Sequence, residues 1–140
     1  MIPRRIIVHC SATKDSGTVS WGAIRAYHKE RLGWIDIGYH FGIEDVNNHL
    51  EILIGRMPDE IGAHCANHNI GSLGICVVGD YDNDILTLNH ERLLAKLLHW
   101  LMLNYRIPFT EIYGHRDFDS HKSCPGENLY RFLKNLKEGR

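Results

Sequence analysis

Two short stretches of this chain are apolar with almost no interruption: Ile6-Ile7-Val8, within residues 4–10, and Leu73–Val78. A strand that meets water on one face alternates polar and apolar side chains, and these runs offer no polar face. They are read as buried strands, the first of them central, and buried strands need helices as cover. Residues 88–105 supply the clearest helix. Leu93, Leu97, Leu101 and Tyr105 recur every four positions, and Leu94, Leu98 and Met102 form the adjacent row. Together they make one broad apolar stripe aimed at a core.

The remaining elements follow from local signals. Ser20 is an N-cap for a helix over residues 21–32, and Gly33 is its stop. Residues 11–19 read as a polar loop, and residues 57–71 as an irregular one. Residues 39–45 and 51–54 read as two strands of a hairpin turning at Asn47-Asn48. Residues 111–114 form a last short strand, and a final helix over residues 128–137 carries Leu129, Phe132, Leu133 and Leu136 on one face. The expected architecture is a single α/β domain, a mixed central β-sheet flanked by α-helices.

At 140 residues the chain suits one core. A formal net charge of −1 argues against nucleic acid as a partner. No apolar run approaches the roughly 20 residues that cross a bilayer. The N-terminus enters a strand without a signal-peptide pattern, so synthesis and residence in the cytoplasm are expected. Cys10, Cys65, Cys76 and Cys124 form no C-x-x-C pair, and disulfides are not expected. Cys76 reads as a small buried apolar residue.

Ten histidines are an unusual load for this length. His90 and His99 fall on the long helix and read as surface residues. His40 alternates with Tyr39 and should face the opposite side of the sheet. His64 and His68 have the i, i+4 spacing of a helical metal pair, but Asn67, Asn69 and Gly71 disfavour a helix there. His9 closes the first apolar run, His115 follows the last short strand, and Cys124 lies in Lys122-Ser123-Cys124-Pro125. Two imidazoles and a thiolate are an ordinary zinc set with one position open to water, although spacing alone does not bring these three together.

Four segments in order resemble one family. Val8-His9-Cys10-Ser11-Ala12-Thr13-Lys14 is similar to the first metal-ligand strand and loop of the phage lysozyme-type N-acetylmuramoyl-L-alanine amidases. That zinc amidase superfamily also holds the peptidoglycan recognition proteins. Trp34-Ile35-Asp36-Ile37-Gly38-Tyr39-His40-Phe41 resembles its second signature. Gly62-Ala63-His64, with Asn69 and Ser72-Leu73-Gly74-Ile75, resembles the third. Gly114-His115 and Lys122–Pro125 resemble the fourth.

The resemblance implies one zinc ion on His9, His115 and Cys124; by its place in the polar loop before Lys122, His121 is a second-choice competitor of His115. It implies Tyr39 and Lys122 as catalytic side chains, and His64 and Asn69 on the substrate groove. The implied substrate is peptidoglycan, or a muropeptide cut from it, cleaved between the lactyl group of N-acetylmuramic acid and L-alanine. The implied organisation is a catalytic domain over residues 1–140 without a separate cell-wall-binding domain, most simply a monomer. A phage or prophage endolysin released by a holin would fit.

The chemistry suits these residues. Zinc lowers the pKa of bound water from 15.7 toward about 7 and polarises a carbonyl. Lys122 precedes Cys124 by two, so an extended segment would aim both the same way, with the ammonium placed to stabilise an oxyanion. Tyr39 would orient the water or exchange its proton. No H-E-x-x-H motif supplies a carboxylate base. Three other functions compete: a recognition module without turnover, a cysteine hydrolase using Cys124 or Cys10, and a DNA-binding zinc domain. Arg25, Arg56 and Arg116 are candidates to grip a substrate carboxylate.

Overall fold

The computed structural model describes residues 1–16 and 19–140; Gly17 and Thr18, in the polar loop expected over residues 11–19, lie outside the described residues. Five strands form one mixed sheet: β1 (Arg5–Cys10), β2 (Phe41–Val46), β3 (His49–Ile54), β4 (Ser72–Val77) and β5 (Ile112–Gly114), in the order β3-β2-β4-β1-β5. The two uninterrupted apolar runs become neighbours at its centre. β1 lies parallel between β4 and β5, and β4 also pairs parallel with β2. β3 is the antiparallel edge.

Strand alternation divides the sheet into two unlike faces. Ile6, Val8 and Cys10 of β1, Leu73, Ile75 and Val77 of β4, and Phe41 and Ile43 of β2 join the main core. The helices α2 (Leu88–Tyr105) and α3 (Glu127–Lys137) contribute Leu94, Leu97, Leu98, Leu101, Leu129 and Leu133 to the same core. These are the positions where the leucine rows of α2 meet. Full burial of each leucine contributes about 1.5–3 kcal/mol, which makes this face the main source of stability.

The opposite face is smaller and carries polar groups: His9 on β1, and Ser72, Gly74 and Cys76 on β4. Its cover is α1 (Trp21–Ala26), whose Trp21 packs with Ile37 and Cys76. Ser20 caps α1 by accepting from the Ala23 amide.

Three local differences from the sequence reading have physical causes. The helix that starts at Trp21 widens into a π turn over Tyr27–Arg31, where the Leu32 amide reaches back to the Tyr27 carbonyl. The widening coincides with the pinning of His28, which accepts from the Gly38 amide at 3.0 Å and lies 4.7 Å from the Trp34 ring. β3 begins at His49 because Asn47 and Asn48 both adopt positive φ, the geometry of a tight two-residue hairpin turn. β2 begins at Phe41, so alternation does not extend back to Tyr39 and His40. The rings of both lie within 6.4 Å of the His64 ring, and His40 does not face the far side of the sheet. His40 spends both ring nitrogens on main chain, accepting from the Gly74 amide and bonding the Glu60 carbonyl.

Candidate metal centre

The central strands place their carboxyl ends together, the position where open α/β sheets hold their ligands. His9 is the penultimate residue of β1. Val8 is opposite Gly114 in the register with β5, so His115, the next residue, falls beside His9. Their ring centroids are 4.6 Å apart. Cys124 enters from the following loop, which the Arg116 amide ties down through the Cys124 carbonyl at 2.9 Å. Its Sγ lies 3.8 Å from His9 Nδ1 and 3.4 Å from the Cys10 amide nitrogen. One ligand atom from each of His9, His115 and Cys124 falls within 4.8 Å of the others, and this is the one such group among the described residues.

The protonation states suit a cation. Burial, then the neighbouring His64 and His115, hold His9 well below the usual imidazole pKa. Burial and the Lys122 charge lower His115 as well. Both rings are therefore neutral near pH 7, with lone pairs available. Contact with the Cys10 thiol and burial push Cys124 up, so it is a neutral thiol until a cation takes the proton's place.

Tyr39 stands beside the group, its ring 5.3 Å from that of His9. Cys76, the residue opposite His9 on β4, is fully buried with Trp21 and Ile37, the small apolar residue that its sequence suggests. Burial, followed by the surrounding thiols, pushes the Tyr39 phenol well above its usual pKa, so it remains a proton donor. Lys122 is exposed, and its charge reaches His115. His121 is exposed and outside the three-residue group. His68 turns away to stack on Phe118 at 4.4 Å.

His64 lies directly behind His9, with Nδ1 2.9 Å from His9 Nε2. Burial, with a smaller part from His40, lowers its pKa to about 3. Asn69 holds the loop in place by accepting from the His64 and Cys65 amides at 2.8 and 2.9 Å. His64 and Asn69 also line a cleft of about 360 Å³ with Tyr39, His28 and Trp34. A second cleft of similar size shares His28 and Tyr39 and extends toward Ser11 and Ala23. His28 and Trp34 went unmarked as cleft residues in the sequence, because neither carries a local signal of that role.

The three arginines are all engaged within the chain. Arg25 makes a two-point pair with Asp36 at 2.6 and 2.8 Å. Buried Arg56 donates to the carbonyls of Asp36, Ile37 and Ile61. Arg116 bonds the Ser123 carbonyl and Glu127 and lies over Tyr130.

A parallel-centred sheet with two histidines and a cysteine gathered at its carboxyl edge, and a cleft alongside, defines an α/β protein with a three-residue group that could hold a metal ion. Residues 1–127 match the family model described as N-acetylmuramoyl-L-alanine amidase, and the chain belongs to that family. It is 36% identical over 135 residues to an endolysin of Enterobacteria phage K11, spanning 93% of this chain and 85% of that one. It is equally 36% identical over 127 residues to peptidoglycan-recognition protein SC2 of Drosophila melanogaster, spanning 90% of this chain and 66% of that one. Among solved structures, the N-acetylmuramoyl-L-alanine amidase LysC of Clostridium intestinale superimposes with a TM-score of 0.79 at 28% identity, covering 97% of this chain and 86% of that one. Among the described residues, no helix is long and apolar enough to cross a membrane.

Proposed function

We propose that this chain is a zinc-dependent N-acetylmuramoyl-L-alanine amidase of the endolysin kind, hydrolysing the amide between the lactyl group of N-acetylmuramic acid and L-alanine in peptidoglycan. The observation that carries the reading is the convergence of His9, His115 and Cys124 within 4.8 Å. Tetrahedral zinc with bonds of about 2.0–2.3 Å separates a nitrogen and a sulfur ligand by about 3.6 Å, close to the 3.8 Å between His9 and Cys124. When bound there, the ion would acidify a water and polarise the scissile carbonyl.

The chain's own residues supply the rest. Tyr39, a neutral donor beside His9, orients the attacking water or exchanges its proton. Lys122 stabilises the oxygen on which negative charge develops. The clefts that meet at Tyr39 and His28 receive the glycan and stem peptide, with His64 and Asn69 on the wall. The protein acts as a monomer, made in the cytoplasm and reaching the wall after release. A recognition module without turnover is the second reading, favoured by the 36% identity to peptidoglycan-recognition protein SC2; the complete ligand trio with Tyr39 and Lys122 favours the enzyme.

Mass spectrometry of a defined muropeptide incubated with metal-analysed protein tests the choice. Free stem peptide beside intact N-acetylmuramic acid is expected, lost on chelation and restored by zinc. Bound zinc with intact muropeptide would select the recognition module instead. Zinc binding near neutral pH should also release about one proton, from Cys124, because both histidines are already neutral. Apparent affinity then rises about tenfold per pH unit while the metal-free thiol stays protonated. Calorimetry in buffers of different ionisation enthalpy measures that proton count, and a count of zero would exclude Cys124 as a thiol-derived ligand.

A further inference from the structure

His9 has two ring nitrogens with different neighbours. Nδ1 faces the metal centre, 3.8 Å from Cys124 Sγ, and Nε2 lies 2.9 Å from His64 Nδ1 in a buried contact. A neutral imidazole that offers Nδ1 to a cation must carry its proton on Nε2. That proton then has one direction to point, at His64 Nδ1, which must be the acceptor. His64 in turn must carry its proton on Nε2, and the group within reach there is the Ser72 carbonyl at 3.4 Å. The order of protons along this buried row is thus set from the metal outward.

Two further features hold His64 at this spot. Asn69 ties its amide at 2.8 Å. Gly74, under the ring, has no side chain; a Cβ there would lie 2.6 Å from His64 Cγ and Cδ2. A larger residue at 74 would push the imidazole off its seat.

We propose that His64, beyond lining the cleft, is the positioning residue of the metal centre: it accepts the outer proton of His9, locks that ring with Nδ1 forward, and thereby raises zinc affinity. The proposal rests on the reading that His9, His115 and Cys124 hold zinc. Its role is on the ligand, with no contact to the reacting atoms. Removing such an outer-shell partner costs about 10- to 100-fold in metal affinity.

The test is chelator-competition measurement of zinc affinity for the full chain as wild type, H64L and H64N. Leucine fills the space without an acceptor, whereas asparagine places an amide oxygen where Nδ1 stood. H64L is expected to raise the zinc Kd about 10- to 100-fold, and H64N to restore most of it. A packing role would lower the melting temperature of the metal-free protein without separating leucine from asparagine in zinc affinity. A second measurement needs no variant: nitrogen-15 NMR of the zinc-loaded wild type should show the His9 Nε2 proton coupled across the bond to an unprotonated His64 Nδ1. Equal zinc affinity in wild type and H64L, or a proton found on His64 Nδ1, overturns the proposal. Wild type that binds no zinc would instead overturn the metal-site reading on which it stands.

Discussion

Cys124→Ala is expected to lower muropeptide turnover by about a thousandfold or more, because the loss of roughly 4 kcal/mol of metal-derived stabilisation is a factor of that size. Of the three residues proposed to hold the ion, Cys124 is the one that would become an anion on binding; His9 and His115 are held neutral by burial and neighbouring groups. Without it a dication is left with two neutral protein donors, and the ion leaves. The fold should survive the change. The bond from the Arg116 amide goes to the Cys124 carbonyl, and the side chain is only partly buried at the margin of the main core. Elemental analysis should find the variant depleted of zinc, with a metal-free melting temperature close to that of the metal-free wild type. Full zinc content and activity in the variant would mean that another donor, such as the competing His121, completes the site.

Tyr39→Phe and Lys122→Ala should behave differently, each lowering kcat by about 10²–10⁴ while zinc stays bound. The phenol is pushed well above its usual pKa by burial and the surrounding thiols, so across neutral pH it acts as a donor rather than as a phenolate. Phenylalanine preserves the ring beside His9 and removes only the hydroxyl. Lys122 is exposed, so its removal costs little stability, and its charge on the His115 side of the group is lost. The effect should fall on kcat more than on KM, since both groups act on charge that develops during reaction. Steady-state kinetics with parallel zinc analysis separates the cases, and wild-type kcat in both variants would remove these residues from the mechanism.

Much of this molecule was legible in its residues. The unbroken runs at β1 and β4 announced a buried sheet centre, and the four-residue repeat of α2 matched its observed span of Leu88–Tyr105. The convergence of His9, His115 and Cys124 was legible only through family resemblance. No periodicity relates positions 9, 115 and 124, and it is the β1–β5 register that brings the first two together. The π turn and the start of β2 at Phe41 escaped the pattern for a related reason. Both are set by contacts at a distance in the chain, His28 with Gly38 in one case and His40 with Gly74 in the other. Short-range propensity does not sense such bonds.

The sequence by itself determined the element types, the class of fold and the family, because apolar periodicity, caps and signature residues are local in the chain. Tertiary structure alone decided which residues lie behind the trio. His64 rests on His9 because the β1–β4 register and the bare backbone at Gly74 leave room for its ring. Arg25, Arg56 and Arg116 looked available as charges and proved engaged, since a guanidinium near the surface binds whichever carboxylate or carbonyl the fold brings within reach. Burial, which holds the histidines neutral, and the contact with Cys10, which with burial holds the Cys124 proton in place, are likewise properties of the packed chain and of no residue taken alone.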